Sequence, residues 1–470
     1  MAPRLLLNSR LLPCFVCLLL ISSFQPNRGH ALDLKSLLKL AYLNDATYLS
    51  ELEEIASQKT GTWQSWAAMG PQVDIAAERS LNENFLRLEV EPPAVAESGE
   101  QESEVFERPE QSARYYENRL RAVLSQPLID IGKFIDIKKS AKERKKMALL
   151  LQKADEALIL KVADRYFSVL NAEDALRLAE AERSSLQEQA AFAVQRYDLG
   201  VGTIVDKHDA EARFHLAQAR EIAARDALEE SWSHLDEWIT PAGRAARFLL
   251  PLADIQPMEF LHDDPTFWVE KAYQNNVSLN LRSVEARILG YERKIIRSSH
   301  FPTLAFNLEQ IYTEANGSLA GPGRTAREYA YSLQANLPLY RNGATILAAS
   351  QAKQKQMAAE KRVEATRHKV ERDTKTAWRT AKTNRLLIRA LLEAVEAGKK
   401  AVAAKEIGYL EGNNTSLDVI DAQRIYYQDL REYQKARYQY IMAYLELKQM
   451  AGELVQEDLT RINLLRLAQK

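Results

Sequence analysis

Cysteine is nearly absent: the 470-residue chain has two, Cys14 and Cys17. Both sit in an apolar run from Leu11 to Ile21 that follows Arg4 and Arg10 and precedes Gly29-His30-Ala31. A basic start, a short apolar core and small residues at a cleavage position form a secretory signal, expected to be cut after Ala31. Eleven apolar residues are too few to span a ~30 Å hydrocarbon core, and Phe15-Val16 ahead of Cys17 argue against a lipid-modified cysteine. The mature chain then has no thiol. Disulfides and Cys-ligated metals are excluded, and packing alone has to hold the protein together.

Long hydrophobic runs are missing too. Beyond residue 31 no apolar stretch reaches eighteen residues, so a membrane crossing has to be made by β-strands. Net charge is almost nil, with Lys+Arg 63 against Asp+Glu 64. Removal of the signal's three arginines leaves 60 against 64, or -4. No basic face for nucleic acid is implied. Catalytic patterns are lacking as well: there is no Gly-rich phosphate loop and no nucleophile motif. Of seven histidines, His208 and His215 could share a helix face, but without cysteine or converging acids they read as solvated rather than metal-bound. No enzymatic activity, cofactor or metal is expected.

What is present shows first in where proline is not. All fifteen prolines lie outside residues 128–240 and 339–470. An interior proline costs a helix about 3 kcal/mol, so these Ala-, Leu-, Glu- and Lys-rich blocks read as helix. Ile137, Ala141, Ala148, Leu151, Ala154, Leu158, Val162, Tyr166 and Val169 recur in steps of three, four and seven, as do Ala352, Ala359, Val363, Val370, Ala377 and Ala381. This heptad-like seam is rich in alanine, which lets helices approach closely. Each block breaks once, at Asp198–Gly202 and at Leu410–Asn414, and restarts on an N-cap threonine with an acid three residues later: Thr203…Asp206 and Thr415…Asp418. Each block is therefore a helical hairpin. The long arms, about 133–198 and 343–408, would run roughly 100 Å at 1.5 Å per residue.

The two blocks are one motif used twice. Gln126-Pro127-Leu128-Ile129 matches Leu337-Pro338-Leu339-Tyr340, and Gly132 matches Gly343. Tyr197…Gly200 matches Tyr409…Gly412, and Asp206…Asp209-Ala210 matches Asp418…Asp421-Ala422. The offset is 211 at the start and 212 later. A shorter helical stretch precedes each block, at about 33–68 and 265–299, and then gives way to alternation. Val73, Ile75 and Ala77, then Leu120, Ala122 and Leu124, form the first pair of apolar rows. Leu304, Phe306 and Leu308, then Tyr329, Tyr331, Leu333, Ala335, Leu337 and Leu339, form the second. Period two with one apolar face suits a lipid-facing strand over a watery lumen. Four strands cannot close a barrel, since small barrels need about eight. Either the strands pack on something within the chain, or several copies share one barrel. Rods of roughly 100 Å offer no compact face to pack on, so shared closure is the better reading, with twelve strands in a trimer.

In this order and spacing the residues resemble the TolC family of outer-membrane efflux proteins. The most specific pieces are Ser125-Gln-Pro-Leu-Ile-Asp-Ile-Gly132, Tyr166-Phe-Ser-Val-Leu-Asn171 and Gln195-Arg-Tyr-Asp-Leu-Gly-Val-Gly202. Leu337-Pro-Leu-Tyr-Arg-Asn-Gly343 and Leu417-Asp-Val-Ile-Asp-Ala-Gln423 complete the set. The resemblance covers essentially the whole mature chain. It implies a mainly α fold with a β-barrel contribution: long helical hairpins forming a trimeric α-barrel tunnel, and four strands per chain in a shared twelve-stranded transmembrane β-barrel. The location implied is the outer membrane of a Gram-negative bacterium, with the tunnel extending into the periplasm. The function implied is a passive exit duct for an efflux pump or type I secretion system. Its partners would be a periplasmic adaptor, an inner-membrane pump or ABC transporter, and outer-membrane lipid, but no nucleic acid. The alternative is a soluble periplasmic adaptor or structural coiled-coil protein. It accounts poorly for tandem hairpins and for the tyrosine-rich alternation at 329–339.

The expected domains are the signal (1–31), a first repeat (32–240), an equatorial linker (241–264), a second repeat (265–452) and an equatorial tail (453–470). By resemblance Asp418 and Asp421 match the family's periplasmic ring of aspartates, six in a trimer, forming a pore gate. Tyr409 and Asp206 match a closed-state tether to the neighbouring coil. Asn414 stands where that tether has an arginine, and Val205 where it has a hydroxyl. Within the chain alone, Asp418 and Asp421 also read as first-turn acids favoured by the helix dipole. The hairpin tips, with Gly200, Gly202, Thr203, Gly412 and Thr415, read from the residues alone as turns; the resemblance implies that they are the adaptor-docking surface. The segment Glu89–Glu110, with eight Glu and one basic residue, reads as a solvated strand loop facing outward.

Overall fold

Helices begin where the sequence offers caps. Asp33 accepts from the Ser36 amide at 2.8 Å to open α1 (Leu34–Asn44), and Asp45 accepts from the Tyr48 amide at 2.8 Å at the start of α2 (Ala46–Gly61). A single turn, α3 (Gln64–Ala67), precedes β1 (Gln72–Leu86). β2 (Gln111–Ile129) runs almost directly into α4 (Ile131–Asp198), and α5 (Ile204–Asp236) completes the first hairpin. The second half repeats this plan. Asp264 caps α6 (Pro265–Asn275), followed by α7 (Val277–Ser298), β3 (Thr303–Ser318), β4 (Gly321–Asn336), α8 (Ala344–Leu410) and α9 (Ser416–Ala451). A final α10 spans Gln456–Leu464. This computed structural model describes residues 32–86, 111–239, 249, 262–318 and 321–464. The expected signal, the acidic segment 89–110, most of the 241–264 linker and the end of the tail lie outside the described residues.

The long arms match expectation within two residues. Three details differ. The stretches 33–68 and 265–299 are not single helices, because Asp45 and Asn276 leave the helical conformation at ψ 104° and 121°. Each of these residues is buried and bonded: Asp45 accepts from Lys161 and Trp238, and Asn276 donates to the Met450 carbonyl. In α4 the buried stripe passes through Ser140, Met147 and Ala154 rather than Ala141 and Ala148, which are exposed. Ser140 can serve in the stripe because its hydroxyl donates back to the Ile137 carbonyl. Finally, β4 stops at Asn336 instead of reaching Leu339. Pro338 has no amide to donate, and Asn342 and Gly343 turn left-handed at φ 47° and 72°.

The strands form one antiparallel sheet in the order β1-β2-β3-β4. The register sets Val73 opposite Leu124, Leu124 opposite Leu308, and Leu308 opposite Tyr331. One row along lie Ile75, Ala122, Gln310 and Tyr329. Directly paired residues share a face, so the apolar rows read from the sequence fall together. The opposite face carries ions: Arg121 pairs with Glu309, and Arg119 with Glu117 at 2.6 Å. Among the described residues β1 and β4 each leave one long edge unpaired.

The chain divides into two compact units, each drawing on both repeats. One contains the sheet, α3, α7 and the strand-proximal parts of α4 and α8. The other contains the remaining arms with α1, α5, α6, α9 and α10. Its main core gathers Leu34, Leu37, Phe167, Leu170, Trp238, Leu445 and Leu459, all essentially buried. Beneath Trp238 lies Asp45, only 3% exposed. Burial opposes its ionisation, but the Lys161 ammonium at 2.6 Å, the Tyr48 amide and the Trp238 indole outweigh that and hold its carboxyl below the usual range.

Candidate functional site

The expected gate and docking residues cluster at the two hairpin turns, which are built alike. Gly200 and Gly412 adopt φ of 75° and 82°. Around them the amides of Gly200 and Val201 return to Tyr197 and Arg196, and those of Gly412 and Asn413 to Tyr409 and Gly408. Both turns are Schellman motifs. Gly202 and Asn414 then bond the same Arg196 and Gly408 carbonyls a second time. Thr203 and Thr415 cap the returning helices by accepting from Asp206 at 3.1 Å and Asp418 at 3.2 Å. Among residues exposed on these turns are Leu199, Val201, Val205 and Leu410, the last 77% accessible.

Asp418 closes a complete capping box: its Oδ2 accepts from the Thr415 amide at 2.9 Å and the Thr415 hydroxyl at 2.7 Å. Those bonds, with the Lys405 ammonium 3.3 Å away, bring its pKa down to about 2. Within one chain this local effect runs against the upward shift expected from a ring of like charges. Asp421, one turn on, faces Arg213 of α5 at 3.4 Å and Arg424 at 3.7 Å. The two carboxylates are thus close together, but each has a cation of its own that sequence reasoning did not foresee. Arg424 follows Asp421 by three residues on a helix, a readable spacing. Lys405 and Arg213 come from other helices and leave no such trace.

The tether residues do not all meet. Among the described residues no hydrogen bond joins Tyr409 to Asp206. The Tyr409 ring meets Phe192 edge-on at 6.1 Å and lies 5.4 Å beneath the Arg196 guanidinium, both from α4. Asp206 instead accepts from the Thr203 hydroxyl at 2.7 Å. Asn414 folds onto its own turn, where its Oδ1 accepts from Lys405 at 3.3 Å. It packs so closely over Gly408 that any side chain at 408 would strike its amide nitrogen. A cavity of about 280 Å³ lies among α4, α8 and α9 here, lined by Phe192, Tyr409, Val419 and Gln423.

Further up the hairpins, Glu182 of α4 is 3% exposed and accepts from Arg220 of α5 at 2.8 Å and Arg431 of α9 at 2.7 Å. This staple links three helices and was not read from the sequence, because its members lie 38 and 249 residues apart.

A strand pair on each of two helical hairpins, with unpaired sheet edges, defines a subunit of an outer-membrane channel. The family model for outer membrane efflux proteins matches residues 64–239 and 268–453, once for each repeat. The chain belongs to that family. It is 29% identical over 343 residues to the outer membrane protein TolC of Vibrio cholerae, covering 72% of this chain and 77% of that one. It is 25% identical over 347 residues to the alkaline protease secretion protein AprF of Pseudomonas aeruginosa, covering 72% and 70%. The solved outer-membrane channel OprN has the same fold, with a TM-score of 0.73 at 15% identity over 89% of this chain and 90% of that one. The fold is the TolC-like one, in which helical hairpins build a tunnel and strands build a β-barrel. The protein is an outer-membrane exit duct of the efflux family. Channels of this family work as trimers in tripartite pumps. The soluble-adaptor alternative is set aside.

Proposed function

We propose that three copies of this chain close one twelve-stranded barrel against outer-membrane lipid, and that the hairpin turns form both its periplasmic gate and its docking surface. The observation that supports this most is the open sheet, whose outer strands run 15 and 16 residues with one edge each unpaired. Edges of that length invite pairing with another chain, and four strands are half of what the smallest barrels need. The apolar face, with Tyr329 and Tyr331, is the side that meets lipid.

At the other end, Asp418 and Asp421 from three copies make a ring of six carboxylates. Lys405, Arg213 and Arg424 within each copy temper that ring, so it attracts cations less strongly than six isolated carboxylates would. Because Tyr409 and Asp206 are separate within a chain, the latch is a contact between copies, and Asn414 braces its own turn instead of supplying the missing arginine. Gly200, Gly202, Thr203, Gly412 and Thr415 shape the turns. Leu199, Val201, Val205 and Leu410 give a periplasmic adaptor, joined to an inner-membrane pump or ABC transporter, an apolar patch to grip. Single-channel recording in planar bilayers tests the gate. Replacing Asp418 and Asp421 together by alanine should lower cation preference and relieve block by divalent ions, and unchanged selectivity would sink the ring.

A further inference from the structure

Near-zero net charge conceals a strong segregation. Residues 131–152, 277–298 and 344–369 carry eighteen Lys and Arg against six Asp and Glu. All three stretches lie in the unit that holds the sheet. Each is next to a strand along the chain: α4 starts two residues after β2, α7 ends five before β3, and α8 follows β4 by eight. Between them is a cavity of about 650 Å³, within the range of small-ligand sites. Five cations line it: Lys142, Arg287, Arg293, Lys294 and Arg297. Its one acid, Glu360, accepts from Gln356 at 2.9 Å, and Gln356 in turn accepts from Arg293 at 3.4 Å. Among the described residues none of the five cations has a carboxylate partner. Gly290 keeps the space open, since a Cβ there would touch only Gln356, at 3.7 Å.

Five like charges around one hollow repel each other, and an anionic occupant relieves that repulsion. The lining along α7 runs from Ser283 to Arg297, about 21 Å at 1.5 Å per residue, too long for a single small anion to fill. Arginine forks favour phosphate and bind it two-pronged. We propose that this groove binds a phosphate-bearing polyanion. Because all three helices belong to one protomer, the site does not depend on the gate or on assembly. Its closeness to the strand ends places it near the periplasmic face of the membrane. The phosphates can therefore come from anionic lipid headgroups or from free phosphate compounds in the tunnel or periplasm.

The test uses the full purified channel in neutral detergent. Calorimetric titration with sodium tripolyphosphate probes the free source. Native mass spectrometry after reconstitution with cardiolipin, whose headgroup carries two phosphates, with phosphatidylcholine as reference, probes the headgroup source. Two variants report on the site: the triple change Arg287→Gln, Arg293→Gln, Arg297→Gln, which removes repelling charges and so does not threaten folding, and Gly290→Leu, which fills the hollow without touching charge. Binding in either arm that falls at least about tenfold in both variants, and weakens with added salt, supports the proposal and names the source. No binding in either arm overturns it, and so does binding that both variants retain.

Discussion

At the scale of single residues, the turns are set by backbone geometry and the caps by carboxylates. Gly412 sits at φ 82° with no atom within 4 Å of where a Cβ would be. Gly412→Ala therefore costs only the left-handed backbone penalty, about 1 kcal/mol, readable as a lower thermal midpoint for the helical signal. Gly202 is more demanding, since its Cβ would stand 3.0 Å from the Tyr197 amide. Asp418 and Asp45 share a pH signature. Both have folded pKa values below the ordinary carboxylate 3.8, with Asp418 at about 2. Their stabilisation is complete above that ordinary value and is lost as pH falls through the folded one. Hydrogen exchange at the first turn of α9, corrected for intrinsic rates, should therefore accelerate between pH 4 and 2, and Asp418→Asn should abolish that dependence. Asp45→Asn leaves Lys161 without its partner beside a buried indole, and a loss of about 3 kcal/mol is expected in denaturant titration.

At the scale of elements, alanine seams bring the coils together and a few buried ions fix how they align. Ala190, Ala193 and Ala210 pack with Phe214, and Ala217 with Leu186 and Ile420. Across this apolar seam, the Glu182 staple ties α4, α5 and α9 together through one buried carboxylate. Glu182→Gln keeps the shape but gives two guanidinium groups one weak acceptor. Both arginines retain water contact, so the expected loss is about 2 kcal/mol. It should appear as earlier melting of the hairpins, with the sheet's stability unchanged.

At the scale of the whole molecule, the proposed barrel makes the edges of β1 and β4 the seams between copies. Since the chain has no cysteine beyond Cys17, pairs introduced in the strands report cleanly once Cys14 and Cys17 are replaced by serine. Cysteines at Ile75 on β1 and Tyr331 on β4, both on the apolar face, should give an oxidised ladder in denaturing gels that ends at three chains. A ladder that ends at two or continues past three is incompatible with a three-copy barrel. Varying the β1 position among 73, 75 and 77 finds the register if the first pair does not align.

Much of this was legible along the chain, because it depends on local spacing. Proline-free blocks, period two in the strands, and Gly-Asn turns followed by Thr-x-x-Asp each act within a few residues, so linear order determines helical hairpins, strands and their duplication. Even the breaks at Asp45 and Asn276 carried a local sign, since Asn44-Asp45 and Asn275-Asn276 occupy equivalent places in the two repeats. Contacts between distant segments left no such sign. Folding alone decided that Lys405 and Arg213 attend Asp418 and Asp421, that Tyr409 packs against Phe192 rather than reaching Asp206, and that five cations from two helices line one hollow. Coulombic and packing energies depend on distance in space, and only the folded chain sets those distances.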